Sequence, residues 1–152
     1  RVEELPERIN GLINSMKEIE KELSVLRSAQ ALAQVGEIAK GAKVVNGTTV
    51  ITSVLGDGIS GDDLRKIALE LRSKAANSVV ALISVNDSKP VLVVAASDAA
   101  RAAGVKAGAL VKIGSTVLGG GGGGKDDFAQ GGGTDAAKSV DALAAISQAL
   151  VG

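Results

Sequence analysis

The chain has 152 residues, the size of one ordinary domain with room for an appendage. Its 17 basic and 17 acidic side chains cancel, so global charge names no partner and any nucleic-acid footprint has to be local. There is no Cys and no His, which excludes disulfide and thiolate chemistry and removes the usual general base and commonest metal ligand. With Phe128 the sole aromatic, the 45% hydrophobic content must build an aliphatic core.

The chain opens at Arg1, inside a charged pattern and not at Met, so a piece of a longer protein is expected. Nothing there resembles a signal peptide, and no apolar run reaches the roughly 18–20 residues of a membrane span. A cytoplasmic location with no membrane partner is therefore expected. Val2, Leu5, Ile9, Leu12, Met16, Ile19, Leu23 and Leu26 then alternate three- and four-residue steps, a heptad seam with Glu7, Arg8, Lys17, Glu18 and Lys21 between its members. So narrow a stripe needs a partner helix. Either it packs on its own body or it forms a coiled coil, and the strict spacing favours a coiled coil, formed with a second copy (a homodimer through helix 2–26) or with chain upstream of Arg1. Pro6 fits only a first turn, so the helix is expected to begin near it.

Residues 1–35 are accordingly assigned to a helical stalk and 36–152 to a compact body. "VVNGTTVITSVLG" carries an Asn-Gly turn at 46–47 and then a β-branched run from Thr48 to Leu55. "SGDD" at 60–63 reads as a capping box, with Leu64, Ile67, Ala68, Leu71 and Ala75 on one helical face behind it. Two near-continuous apolar strands, 78–85 and 90–96, flank a tight turn at "NDSK" and suggest burial on both faces. Residues 97–118 read as helix broken around Gly104 and Gly108. Thr134 is expected to cap a last helix, with Asp135 in its first turn and Val140, Leu143, Ala144 and Leu150 inward. The fold class is α/β: an N-terminal long helix as a coiled-coil stalk, then a mixed-sheet body with covering helices and a glycine-rich loop.

That loop, "VLGGGGGGKDDFAQGGGTD" at 117–135, holds nine glycines between Gly119 and Gly133. A P-loop reading fails. Asp126 follows Lys125 where Ser or Thr should hold Mg²⁺, and the segment before the glycines reads as helix, not as a buried strand. A flexible spacer is the plain alternative. Against it, the two clusters flank the only aromatic residue, and the second runs into a helix N-terminus suited to anions. Arg101, Lys106, Lys112 and Lys125 also make a local positive stripe. Bare backbone amides beside lysines suit a polyanion. Phe128 is read as a core anchor in preference to a base-stacking platform, and Asp126, Asp127 and Asp135 as solvated or capping acids.

"LGGGGGGKDDFAQGGGTDAAKSVDAL" resembles the C-terminal end of bacterial alanyl-tRNA synthetases. There a glycine-rich box, a Pro-Asp-Met-Ala-Gln-like segment and a second glycine cluster precede the final helix. "VNGTTVITSVLGDGISGDDLRKIALELRSK", "VVALISV" and "VLVVAASDAARAAGVKAGALVK" are similar to the rest of that domain in order and spacing, so the resemblance covers essentially the whole chain. It implies an accessory domain of the DHH-associated class that contacts the tRNA elbow and supports aminoacylation and editing. Its partners would be tRNA, alanine-specific in the parent enzyme, and the other domains of that ligase. Neither a cofactor nor catalysis by the fragment itself is implied. The tRNA-binding box carries over onto Gly122, Gly123, Gly124, Lys125, Asp127, Gln130, Gly131 and Gly132, with Lys112 on the helix leading in. Gly121 stands where the family often has Lys, and Lys125-Asp126 where it often has Arg-Pro. Two other readings are a structural, dimerising module without a ligand and the substrate-binding domain of a DHH-type phosphoesterase. In the latter the glycine box usually carries a His, which this chain lacks.

Overall fold

The computed structural model describes residues 5–33, 35–57 and 59–151. The first helix, α1 (Leu5–Ala33), has Pro6 in its opening turn, where a missing N–H breaks no helical bond. Val2 of the heptad seam lies outside the described residues. Ile9, Leu12, Met16, Ile19, Leu23 and Leu26 remain 45–66% exposed, so the seam is not buried against the body. The next helix, α2 (Val35–Lys40), packs on the body, with Val35 buried in the same cluster as Leu64 and Leu71.

The chain then turns through β1 (Lys43–Val45) and β2 (Thr48–Asp57), joined by Asn46 and Gly47, both at positive φ (51° and 81°). Those angles match the right-handed twist of the flanking strands. Ser60 caps α3 (Gly61–Ser73): its Oγ accepts the Asp63 N–H at 3.1 Å and donates to the Asp63 carboxylate at 3.0 Å. This helix carries the chain across to β3 (Ser78–Asn86), which pairs parallel with β2. A two-residue turn at Asp87-Ser88, again at positive φ, returns it as β4 (Lys89–Ala96).

Side chains alternate across a strand, so a continuous apolar run is stable only with cover on both faces. The sheet has that cover. Val80, Leu82, Val93 and Ala95 join the core under α2 and α3. Val79, Ala81, Ile83, Leu92 and Val94 join the opposite core, under α5 (Ala107–Val117) and α6 (Ser139–Val151).

Three local expectations are corrected. Between the short α4 (Asp98–Ala102) and α5 the chain breaks at 103–106, with Gly104 at φ 99°, whereas Gly108 lies inside α5. Asp135 and not Thr134 caps the next element, its carboxylate accepting the Ala137 N–H at 3.2 Å ahead of a 3₁₀ turn, Ala136–Lys138. The inward stripe of α6 then runs through Ser139, Ala142, Leu143 and Ile146, leaving Val140 and Ala144 outside and Leu150 half-buried. Val140 is the larger hydrophobe but sits one residue off a stripe that a serine begins.

The largest correction concerns the glycines. What reads as a loop is a pair of strands, β5 (Gly122–Gly124) and β6 (Phe128–Gly132). β6 pairs antiparallel with β4, and β5 hangs on its far side, giving the six-stranded order β1-β2-β3-β4-β6-β5. Every pairing is antiparallel except that of β2 with β3.

Candidate nucleic-acid interface

The register of the glycine hairpin is Gly122↔Gly131, Gly123↔Gln130 and Gly124↔Ala129. At one end the Lys125 N–H donates to the Phe128 carbonyl at 3.0 Å, and at the other the Gly132 N–H donates to the Gly121 carbonyl at 3.2 Å. Antiparallel pairs alternate between hydrogen-bonded and open, so Gly121, Gly123 and Lys125 direct their backbone groups at β6. Gly122 and Gly124 direct theirs outward, and β5 is the last strand, so their N–H groups face off the sheet's edge.

The turn at Asp126-Asp127 uses no positive φ, unlike the other two hairpins, and is held by tertiary bonds instead. The Ala107 N–H donates to the Asp126 carbonyl at 3.0 Å. The Ala96 N–H, at 2.8 Å, and the Arg72 guanidinium, at 3.3 Å, both donate to the Asp127 carbonyl. The hairpin tip is thus tied to the start of α5, the end of β4 and α3, which is not how a spacer is built.

The glycines divide into two classes. A Cβ built on Gly122 falls within 3 Å of Gly131 Cα, Val111 Cγ1 and the Gln130 carbonyl, and one on Gly124 within 3 Å of Ala129 and the Phe128 carbonyl. Gly120 and Gly133 are blocked in the same way by backbone, and Gly131 by the Ser115 and Val111 side chains together with Gly122 Cα. At these positions the fold itself excludes a side chain, because the strands and α5 approach too closely. Gly121 and Gly123 meet nothing within 4 Å and do not have positive φ. Nothing in the fold requires glycine there. On the α5 side, Ser115 Oγ is fully buried with no hydrogen-bond partner, packed against Gly131.

Alternation places Gly121, Gly123 and Lys125 on the same face as Phe128 and Gln130, the side of the sheet that α3 covers. Phe128 is half-buried and joins the core under α3, which supports its reading as an anchor. It has a second contact that sequence reasoning missed: the Arg65 guanidinium lies 5.0 Å from the ring centroid. Arg65 is the outward residue of a capped helix, and only the sheet register, invisible in sequence, brings it to Phe128. Gln130 lies beside Gly61, where a Cβ would come to 2.9 Å of its Nε2. Lys112 is exposed on α5, one turn after Gly108, which abuts the Gly124 carbonyl, and one turn before Ser115, which abuts Gly131. It therefore flanks the β5 edge from the opposite face. Of the sequence-predicted residues, Gly122, Gly123, Gly124, Lys125, Asp127, Gln130, Gly131 and Gly132 share this hairpin. Asp127 contributes its carbonyl to the tip, and Gly131 is spent on internal packing.

The DHHA1 domain family matches residues 47–152. An alanine–tRNA ligase of Kocuria rhizophila is 47% identical over 149 residues, which cover 97% of this chain and 17% of the ligase. The chain thus spans about a sixth of the length of that relative. Among solved structures, the C-Ala domain of Aquifex aeolicus alanyl-tRNA synthetase superposes with a TM-score of 0.68 at 30% identity, over 73% of this chain and 98% of that one. RecJ from Thermus thermophilus superposes with a TM-score of 0.55 at 13% identity, over 82% of this chain and 18% of RecJ, a likeness of fold alone.

Proposed function

This chain belongs to the DHHA1 domain family, as the C-terminal domain of an alanyl-tRNA synthetase, and from that premise we propose that it is a non-catalytic tRNA-binding module. It contacts the tRNA elbow through the glycine hairpin and so supports aminoacylation and editing by the cytoplasmic ligase whose other domains it accompanies. Residues 36–152 form the binding body and 1–35 the stalk. The observation that carries this reading is the pair Gly121 and Gly123. The fold tolerates any small side chain there, yet both positions are bare, which leaves the backbone of an edge strand open between cations.

Outward N–H groups of Gly122 and Gly124 suit phosphate or ribose oxygens, because an amide without a side chain can approach an anion closely. Lys125 and Arg65 flank this edge on the α3 face and Lys112 on the α5 face, so a phosphate backbone running along β5 meets positive charge on both sides. The Gln130 amide can donate to and accept from a sugar hydroxyl or a base edge. Recognition by backbone amides and a few lysines reads shape and phosphate position more than sequence. About three neutralised phosphates correspond to a slope of about −3 in log K against log salt.

The test is a salt-dependent titration with alanine-specific tRNA, an unrelated tRNA and a hairpin lacking the elbow, using the wild-type chain, Lys125→Ala and Gly123→Val. Binding to both full tRNAs, lost on the short hairpin and weakened by both substitutions, is expected. Unchanged binding by Gly123→Val, a position with space for the side chain, would move the RNA contact away from β5. The exposed stripe of α1 favours a second role for the same chain, as an assembly helix that makes a homodimer. Light scattering before and after removal of residues 1–35 tests it, and an unchanged oligomer would exclude α1 as its cause.

A further inference from the structure

On the reading of the hairpin as an RNA-binding edge, we infer that Gly61, which lies on α3 and outside the hairpin, is a positioning residue for that contact. The room left by its missing side chain receives the Gln130 amide and so keeps the face of β5 at Gly123 clear.

Gly61 is the first residue of α3, directly after the Ser60 cap. Its φ is not positive, so its backbone does not call for glycine, and within a helix glycine is a poorer choice than alanine. A Cβ at this position would come to 2.9 Å of Gln130 Nε2 and 3.9 Å of its Cδ, with Val91 Cγ1 next at 4.0 Å. The one tight contact is thus with the end of a flexible, exposed side chain and with no part of the backbone. On the other side of Gln130 the space is empty. Gly123 stands directly opposite it in the register and meets nothing within 4 Å. The alternation of the hairpin makes these two a hydrogen-bonded pair, with Cα atoms about 5.5 Å apart. A glutamine side chain is long enough to cover that neighbour, yet it leans toward α3. Two bare positions therefore flank Gln130 on one face of the sheet: Gly61 takes the amide, and Gly123 stays open.

A methyl group at 61 removes the first of these places. Phe128 precedes Gln130 on the same face of β6, with the Arg65 guanidinium 5.0 Å from its ring centroid, and closes that direction along the strand. The displaced amide swings to the open side, over Gly123. Against α3 it borders the bare strand and offers its N–H and C=O groups to a sugar hydroxyl; over Gly123 it obstructs the approach of a phosphate or ribose to the edge. The fold itself is spared, because rotation about side-chain bonds relieves the contact and alanine suits a helix.

The test is a double-mutant cycle on the full chain: wild type, Gly61→Ala, Gln130→Ala and the double variant, each titrated with one full-length tRNA at the same salt. Gly61→Ala is expected to weaken binding about three- to tenfold, the worth of one hydrogen bond, when Gln130 is present, and to have no effect when residue 130 is alanine. Equal losses in the two backgrounds would show that Gly61 acts without Gln130 and would overturn the role, as would no loss in either. Melting followed by circular dichroism is expected to show Gly61→Ala no less stable than wild type; a destabilised variant with the same loss of affinity in both backgrounds would make the effect one of folding. Proton–proton contacts in the free protein test the placement without RNA. The Gln130 amide protons are expected beside the Gly61 α protons in wild type and beside the Gly123 α protons in Gly61→Ala, and an amide already over Gly123 in wild type would refute the placement. A wild-type chain that binds no tRNA would remove the RNA-binding reading and this role with it, whereas equal binding by wild type and Gly61→Ala would remove only the role of Gly61.

Discussion

Adjacent glycines of one strand should respond oppositely to the same substitution. Gly122 and Gly123 both sit in β5, at the same edge and with similar exposure. A Cβ at 122 falls within 3 Å of backbone on two sides, the Gly131 Cα and the Gln130 carbonyl, as well as of Val111 Cγ1. Carbon atoms settle at about 3.5–4.0 Å, so β5 must be driven off β6 by at least roughly half an ångström or the hairpin bonds must lengthen. Overpacking of this kind costs about 1–3 kcal/mol, and blockage by backbone, which cannot rotate aside, places Gly122→Ala at about 2 kcal/mol. For a chain of this size that is a fall in melting temperature of about 4–8 °C. Gly123→Ala meets nothing and has no positive φ, so it should leave stability unchanged or raise it by about 0.4–1 kcal/mol through lower entropy of the unfolded chain. With no Trp or Tyr in the chain, the melt is best followed by far-ultraviolet circular dichroism of the backbone. Equal losses from the two substitutions, or none from Gly122→Ala, would refute the division of the glycines into those the fold needs and those it does not.

Three further outcomes are expected. Ser115→Ala removes a buried hydroxyl that has no partner, so it should be neutral or stabilising by up to about 1 kcal/mol; a clear loss in chemical denaturation would mean that the hydroxyl has a partner in solution. Ser60→Ala deletes the α3 cap and should cost about 1 kcal/mol, seen as a lower denaturation midpoint at unchanged slope. Arg65→Ala should reduce tRNA affinity at low salt and make the salt slope shallower by about one charge, whereas Arg65→Lys keeps the charge and should retain most of the slope; equal slopes for wild type and Arg65→Ala would remove Arg65 from the binding face.

The two-faced sheet was legible because its signals are local or periodic. Asn46-Gly47 determines a turn, Ser60 a helix start, and the unbroken apolar runs of β3 and β4 a sheet covered on both sides. The glycine strands were not legible for a physical reason. Glycine has low strand propensity and no side chain to alternate, so β5 and β6 carry no period that a reader could find. They are strands because β4 has an unsatisfied edge, β6 fills it, and α5 packs close above, all of which are tertiary facts. The phase of α6 failed for a related reason: Ser139, buried with its hydroxyl on the Ala136 carbonyl at 2.7 Å, does not announce an inward position. The hairpin residues that the resemblance singled out do lie together, but Arg65 could be added only once the register set α3 beside Phe128.

Both outer strands of the sheet are only three residues long, β1 at one side and the glycine strand β5 at the other. Between them lie β3 and β4, whose aliphatic runs would be efficient templates for growing a sheet from one molecule to the next. Short termini offer an incoming chain little to pair with, and glycine offers it no side chains to interlock. The bare strand at the sheet's edge therefore guards the molecule against self-association through its sheet, so that extending β5 with β-branched residues would trade solubility for order.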